Sequence, residues 1–502
     1  MKFETLRNGL ADLMGGVLPA LVTLITTPYV IRTLGYNSYG VLTLITAIIG
    51  YFAIIDINVT AGSVKYVAEH HATGNIRLRN QTLTSGFFMY LLIGLAGCVL
   101  ILLFADTLVH RVFAVPEDLR PGAHATLQLA AFGFVFGQMQ IYLNSVPQAI
   151  RRFDQTALVE SLFGVLTPFA TVLVLWLGYG LFEVVALRIA ASVLNLLVLG
   201  GIIRRLMPDF AFELPTRHTV MALGRFSGFA YLNRLAIIAS AQGDKLILGL
   251  FTTMNALTYY AVPFMLVQRV FSLSYRLGSA MFPVASALAA NKEMDRLREL
   301  YLYAARYIFF INCALALLLT SLAHEILLYW VGPSLAASGT SIMLLITVSS
   351  LIDSLTNAPS LVNDGLGNPA VTGLFAICRA ALGISLTLLL VNVLGVVGAA
   401  LAQLLTSIVM VSIFITYVHG RSVPVALRDY LRVVVMPSLP IVAVGSLLIA
   451  VLHTHTPLSP IQTASLLLLE CLLLAAFAFA FVFRASDRVA LGTRLRRRQA
   501  GV

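Results

Sequence analysis

Charge is what this 502-residue chain has least of. Asp, Glu, Lys and Arg make up 11% of it, against roughly a quarter in a soluble domain, while hydrophobic residues reach 59%. Mean hydropathy is +0.91. So few polar side chains cannot cover a globule in water, which excludes a water-soluble enzyme and a disordered scaffold alike. Cysteine is scarce too: Cys98, Cys313, Cys378 and Cys471 stand singly in apolar runs without a C-x-x-C pair. They read as small buried hydrophobes rather than a disulfide frame or metal site. Also absent are a Walker A loop, a G-x-S-x-G elbow and an H-E-x-x-H pair, so neither ATP drive nor hydrolysis has support in the sequence. His70-His71 and His453/His455 have no ligand frame around them. The chain therefore reads as a non-enzyme with no cofactor and no metal, and a polytopic membrane protein is what remains.

What is present is a series of apolar runs, each long enough to cross about 30 Å of hydrocarbon as a helix of ~20 residues. Fourteen are expected, near 10–32, 39–60, 83–105, 123–146, 157–177, 183–203, 226–251, 257–283, 302–323, 337–361, 371–391, 396–418, 433–452 and 461–483. Their length, and the lack of period-2 alternation, point to helices rather than barrel strands. The first run is too long for a signal-peptide core and is read as a retained helix. Lys and Arg set the orientation. With the amino terminus inside, 24 of the 33 bases fall on cytoplasmic segments and only Arg32, Arg111 and Arg120 on the opposite side. Both termini are expected to be cytoplasmic. The surplus of basic residues, formally +11, is then a topology signal and not a nucleic-acid footprint.

The two halves resemble each other. Tyr39-Gly40-Val41 matches Tyr260-Ala261-Val262, and Arg77-Leu78-Arg79 matches Arg296-Leu297-Arg298. Asn144-Ser145-Val146-Pro147 answers Asn357-Ala358-Pro359, and Gly178-Tyr179-Gly180 answers Gly395-Val396-Val397-Gly398. The matches keep their order and nearly their offset. Six helices per half is an even number, so the repeat is parallel, related by an axis along the membrane normal, and alternating access is the mechanism it implies. The expected organisation is an N-terminal six-helix lobe over 1–210 and a C-terminal six-helix lobe over 211–420. Two additional helices and a basic cytoplasmic tail follow over 421–502.

Six bases lie inside apolar runs: Arg188, Arg234, Lys245, Arg269, Arg276 and Arg379. Each costs roughly 2.5–3.5 kcal/mol at a helix centre. Arg234 and Lys245 are about three helical turns apart, Arg269 and Arg276 two, so each pair shares a face. Such a lining suits an anionic phosphate or pyrophosphate, and Arg234, Arg269, Lys245 and Arg276 are the candidate substrate ligands. Snorkelling towards the interface or pairing with intramembrane acids is the alternative. Asp56, Asp244 and Asp353 are candidates for ion coupling, with neutralisation of a nearby base as the plain alternative for Asp244. Pro19 and Pro28 bracket Thr23, Thr26 and Thr27 in the first run, as a gate or as a static kink.

Several of these stretches carry a resemblance. Thr27-Pro-Tyr-Val-Ile-Arg-Thr-Leu-Gly35, Ser38-Tyr-Gly40, Ile55-Asp56 and Val64-Lys-Tyr-Val-Ala68 resemble the opening of Wzx-type polysaccharide-biosynthesis flippases. That group shares a superfamily with the multidrug (MATE) exporters and the lipid II flippase. Gly243-Asp-Lys-Leu-Ile-Leu-Gly249 followed by Tyr259-Tyr260 is similar to the start of the family's second half. The resemblance covers about 5–420. It departs at Asn58, where the family has Gly, at Lys65, where Arg is common, and in having fourteen helices where many members have twelve. It implies an all-α, MATE-like polytopic fold and a flippase moving a polyprenyl-pyrophosphate-linked oligosaccharide to the outer leaflet of a bacterial plasma (inner) membrane. H+ or Na+ would be the coupling ion, and polysaccharide polymerases or glycosyltransferases the protein partners. The rival expectations are a cation-coupled small-molecule exporter and a membrane glycan polymerase or ligase.

Overall fold

A computed structural model describes residues 2–483 apart from 57, 279–280, 424 and 445–458. The side chains of 2–15, 225–230, 232–233 and 276–277 also lie outside the described set. The second half of the 433–452 run, His453 and His455, and the basic tail from Arg484 onward therefore fall outside it.

Lipid offers the backbone no hydrogen bonds, so each long apolar run must satisfy its own amides, and the chain is helical with no strand among the described residues. The helices are α1 (Lys2–Leu34), α2 (Tyr36–Phe52), α3 (Val59–Ala72), α4 (Ile76–Thr107), α5 (Arg120–Ala149), α6 (Phe153–Trp176), α7 (Leu181–Leu206) and α8 (Arg217–Phe251). They continue as α9 (Met254–Gly278), α10 (Met281–Ala290), α11 (Met294–Ser321), α12 (Ala323–Trp330), α13 (Pro333–Ser354), α14 (Asn357–Gly365) and α15 (Pro369–Arg421). A further helical stretch runs from Leu427 to the edge of the described region, and the last is Pro460–Phe477. Nine described segments are long and apolar enough to cross a membrane. One of them is the whole of α15, in which Gly395 leaves the helix at φ 58°, ψ −137° and divides the segment into the two runs expected at 371–391 and 396–418. The architecture is the expected all-α polytopic membrane fold.

The chain forms two compact units. The first comprises 1–261 with 379–399, the second 262–378 with 400–502. In the first unit α4 packs on α5, α5 on α7 and α1 on α6. Its core gathers Val59, Leu83, Tyr90, Tyr142, Val146 and Leu223. In the second unit α11, α13, α14 and the stretch after Leu427 enclose Leu297, Tyr301, Phe309, Val362, Val418, Tyr430 and Val434.

Two features refine the expected segments. The 39–60 run is not one helix: the chain tightens at Ala53–Ile55, extends at Asp56 and turns left-handed at Asn58 (φ 59°, ψ 44°) before α3 begins. Asp56 stabilises the turn by accepting the Asn58 N–H at 2.8 Å, and Asn tolerates a conformation that most side chains resist. The family's usual Gly is thus replaced by the residue best able to stand in for it. Residues 61–72, between two of the expected runs, are helical as part of α3. The second feature is the Leu34-Gly35…Tyr39-Gly40 element. Gly35 adopts φ 79° at the start of α2. A Cβ on Gly40 would lie 2.1 Å from the Met254 carbonyl oxygen, and Thr258 donates to the Tyr36 carbonyl at 2.7 Å. The motif is a backbone-on-backbone contact that only glycine admits.

The cysteines divide. Cys98 and Cys313 are buried, but Cys378 and Cys471 are exposed. An apolar run in a membrane protein faces lipid as readily as protein, so hydrophobicity alone does not predict burial.

Candidate functional site

The helix break positions the first polar cluster. Asp56 has no exposed surface, and Arg234 Nη2 of α8 lies 2.7 Å from its Oδ2. Tyr90 of α4 donates to the same oxygen at 3.2 Å, while the Asn58 amide holds Oδ1. One turn before Arg234 on α8, Tyr231 donates to the Ile54 carbonyl at 2.7 Å, so the broken segment is tied to α8 at both Ile54 and Asp56. Tyr90 stacks on Tyr142, which donates to the Leu83 carbonyl at 2.8 Å and pairs with Ser63 at 3.0 Å. Arg234 remains about a quarter exposed, and its Nε is buried with no hydrogen-bond partner among the described residues. This ion pair, invisible in the sequence because its members lie far apart in the chain, commits Arg234 and Asp56 to each other.

The other candidates are placed as follows. Asp244 is buried and accepts from the Tyr260 hydroxyl and, at 2.8 Å, from the Lys245 amide. Lys245 turns its ammonium onto the Ala241 carbonyl at 2.5 Å. Arg269 is exposed on α9, with no ion pair or side-chain hydrogen bond among the described residues. Arg276 stands two turns further along the same helix, but its side chain lies outside the described set. Arg188 is exposed and Arg379 half-buried. Pro19 and Pro28 are both inside an unbroken α1. There Thr23 donates to the Pro19 carbonyl (2.8 Å) and Thr27 to the Thr23 carbonyl (2.7 Å).

Asp353 belongs to a cavity of about 270 Å³ within the second unit. Gln268, Phe271, Ser272 and Tyr275 of α9 face Ser350, Asp353 and Ser354 of α13 and Asn357 of α14 across it. In the sequence Gln268 and Tyr275 merely adjoin the α9 bases Arg269 and Arg276. Their convergence with Asp353 and Asn357 needed the tertiary fold.

Outside the apolar runs, the repeated Arg-Leu-Arg element acquires a structural role. Arg79, 4% exposed, pairs with Asp209 at 3.0 Å, and Asn80 donates to the Asp209 backbone carbonyl at 3.1 Å. In the second unit Arg298, the repeat counterpart of Arg79, donates to Asp429 at 2.8 Å. Arg79 fastens the segment that follows α7, and Arg298 the segment that follows α15. The hydrogen bond from Arg79 holds the Asp209 carboxyl below the usual aspartate range.

Comparison with known proteins places this arrangement in context. Residues 5–289 match the family described as polysaccharide biosynthesis protein. A Shigella flexneri protein provisionally named an O-antigen transporter is 20% identical over 79% of this chain and 93% of its own length. A Haloferax volcanii protein, AglR, provisionally named a flippase, is 22% identical over 78% of each. Among solved structures, the lipid II flippase MurJ in an inward closed conformation shares the fold. Its TM-score is 0.68 at 14% identity, over 96% of this chain and 98% of that one.

Proposed function

The chain belongs to the polysaccharide biosynthesis protein family, and from that premise we propose that it is a flippase for a polyprenyl-pyrophosphate-linked oligosaccharide. It carries this lipid from the cytoplasmic to the outer leaflet of a bacterial plasma membrane by alternating access, with both termini cytoplasmic. It is a transporter and not a catalyst. The observation that carries the reading is Arg269, an exposed guanidinium in an apolar helix with no carboxylate partner among the described residues. A base in that setting costs roughly 2.5–3.5 kcal/mol. An anion offsets the cost, and the bidentate guanidinium fork suits pyrophosphate oxygens. The sugar and pyrophosphate are too polar for hydrocarbon, so they pass along protein groups while the polyprenyl tail stays in lipid.

The remaining candidates take graded roles. Arg276 is the second pyrophosphate ligand on α9. Arg234 and Lys245 are already engaged, by Asp56 and by a backbone carbonyl. They join the anion only when those bonds open, and protonation of Asp56 is what would release Arg234. That makes Asp56 the carboxylate through which a proton couples to transport. Asp244, held by Tyr260, serves the packing of the first unit. Pro19 and Pro28 are the points at which α1 bends if it gates.

The test is made in the source cell. Depleting the protein should leave lipid-linked oligosaccharide to accumulate, inaccessible to a membrane-impermeant lectin or glycosidase applied from outside, without changing the efflux of cationic dyes. Normal surface exposure of the oligosaccharide lipid together with impaired dye efflux would instead assign a small-molecule exporter.

A further inference from the structure

We propose that the first unit holds a resident phospholipid with an acidic headgroup. One of its chains enters a cavity of about 450 Å³ between α4, α5, α7 and the segment that follows α7. That volume falls within the usual range of ligand pockets, about 300–1,000 Å³. Leu83, Phe87, Val146 and Ile203 give the cavity an apolar floor. The two hydroxyls in its lining are engaged: Thr84 donates to the Asn80 carbonyl at 3.0 Å and Tyr142 to the Leu83 carbonyl at 2.8 Å. Neither has a proton left to give, so a sugar or nucleotide would bury polar groups there unmatched, whereas a hydrocarbon chain needs no partner. Arg204 is the one charged residue in the lining. It is exposed, makes no hydrogen bond or ion pair among the described residues, and stands in the last turn of α7, at the end of an apolar span. Apolar walls beneath one guanidinium match the two parts of an anionic lipid, and a single base suits the single charge of a phosphodiester.

The outer wall is a built one. Phe210 and Phe212 line the cavity yet remain 40% and 60% exposed. The acids that flank them, Asp209 and Glu213, turn to α4, where Arg79 lies 3.0 Å and Arg77 3.9 Å away. Asn80 and Gln81 donate to the Asp209 and Leu214 carbonyls at 3.1 and 3.3 Å, and Phe212 meets Phe88 edge-on with ring centroids 5.7 Å apart. The segment thus spends its negative charge on α4 and leaves its aromatic rings over the opening. Water there would meet apolar surface, which a lipid chain covers. At the end of a membrane span, lipid is the apolar molecule at highest concentration. On the α7 side Gly200 lines the same space, and a Cβ there would meet no atom within 4 Å.

The test uses the full chain in a neutral detergent, titrated with phosphatidylglycerol or with phosphatidylcholine of the same two chains, and native mass spectrometry counts the lipid retained. The wild-type protein should retain one phosphatidylglycerol per chain, preferred about fivefold over phosphatidylcholine, roughly the factor that one base contributes beside an acidic lipid. Arg204→Gln should bring that ratio close to one. Gly200→Leu puts a side chain into the open space and a better helix former into α7, and should lower retention of both lipids at least fivefold. The two variants are made separately, so that either decides if the other fails to fold. Equal retention of the two lipids by the wild type, or wild-type behaviour in both variants, would overturn the inference. So would release of the bound lipid by inorganic phosphate, which would mark a phosphate site, or by an equal concentration of polyprenyl pyrophosphate, which would give the cavity to the cargo. Each of these leaves the flippase reading standing.

Discussion

A carboxylate with no exposed surface keeps its charge only beside a cation, and Asp56 has Arg234 at 2.7 Å together with two further donors. Breaking such a pair from one side is costlier than removing both members, because the survivor is left as an uncompensated buried charge. Asp56→Ala should therefore destabilise the first unit by about 3 kcal/mol in thermal or denaturant unfolding, and the double variant Asp56→Ala/Arg234→Met by clearly less. Equal losses in the two proteins would mean that the pair carries no coupling energy. Arg269→Ala removes no internal bond and should leave the melting temperature within about a degree. The sequence made every one of these charges conspicuous, since a charge in an apolar run is costly unless it reaches the interface, a partner or a ligand. It could not say which were spent on each other. Arg234 of α8 and Asp56 of the helix break lie far apart in the chain, and only the tertiary fold separates a paired arginine from an open one such as Arg269.

At the scale of the element, glycines and short ion pairs govern how segments meet. Gly40→Ala places a methyl group 2.1 Å from the Met254 carbonyl oxygen. The backbone must move to accommodate it, at a cost of roughly 1–3 kcal/mol, visible as a lowered melting temperature. The Leu-Gly…Tyr-Gly motif was legible in the sequence, and its cause is this contact. The interruption of the second run was not legible, because the hydrophobic pattern runs on across Ala53–Asn58 and only the backbone records the turn. The Arg79–Asp209 latch also yields a pH signature. The native Asp209 pKa is lowered by Arg79, so the latch contributes in full above the unperturbed aspartate value of about 4. Its contribution is lost as pH falls from there through the lower native value. Between pH 7 and pH 3 the wild-type melting temperature should therefore fall more than that of Asp209→Asn. Parallel curves would show that the latch adds nothing to the fold. Arg298 and Asp429 repeat the arrangement in the second unit, a correspondence that the Arg-Leu-Arg repeat announced in part: the arginines were visible, their partners were not.

For the whole molecule, scarcity of charge gave the class, run length gave the helices, and the distribution of Lys and Arg gave an orientation that remains a prediction. Single cysteines introduced in the Asp106–Gly122 segment of a cysteine-free chain should react with an impermeant maleimide from outside intact cells. Cysteines beside Arg152 or Arg421 should react only after permeabilisation, and the reverse pattern would invert the topology. The central claim, transbilayer movement of a lipid-linked oligosaccharide through Arg269, is tested most directly in proteoliposomes loaded with fluorescent polyprenyl-pyrophosphate oligosaccharide. Exposure of the outer leaflet to an impermeant quencher or glycosidase then reads out movement. Wild-type protein should equilibrate the lipid between leaflets well above the rate of protein-free vesicles, and Arg269→Ala, folded and with an unchanged melting temperature, should lose at least nine-tenths of that rate. Wild-type vesicles no faster than empty ones, or an Arg269→Ala protein as fast as the wild type, would contradict the account.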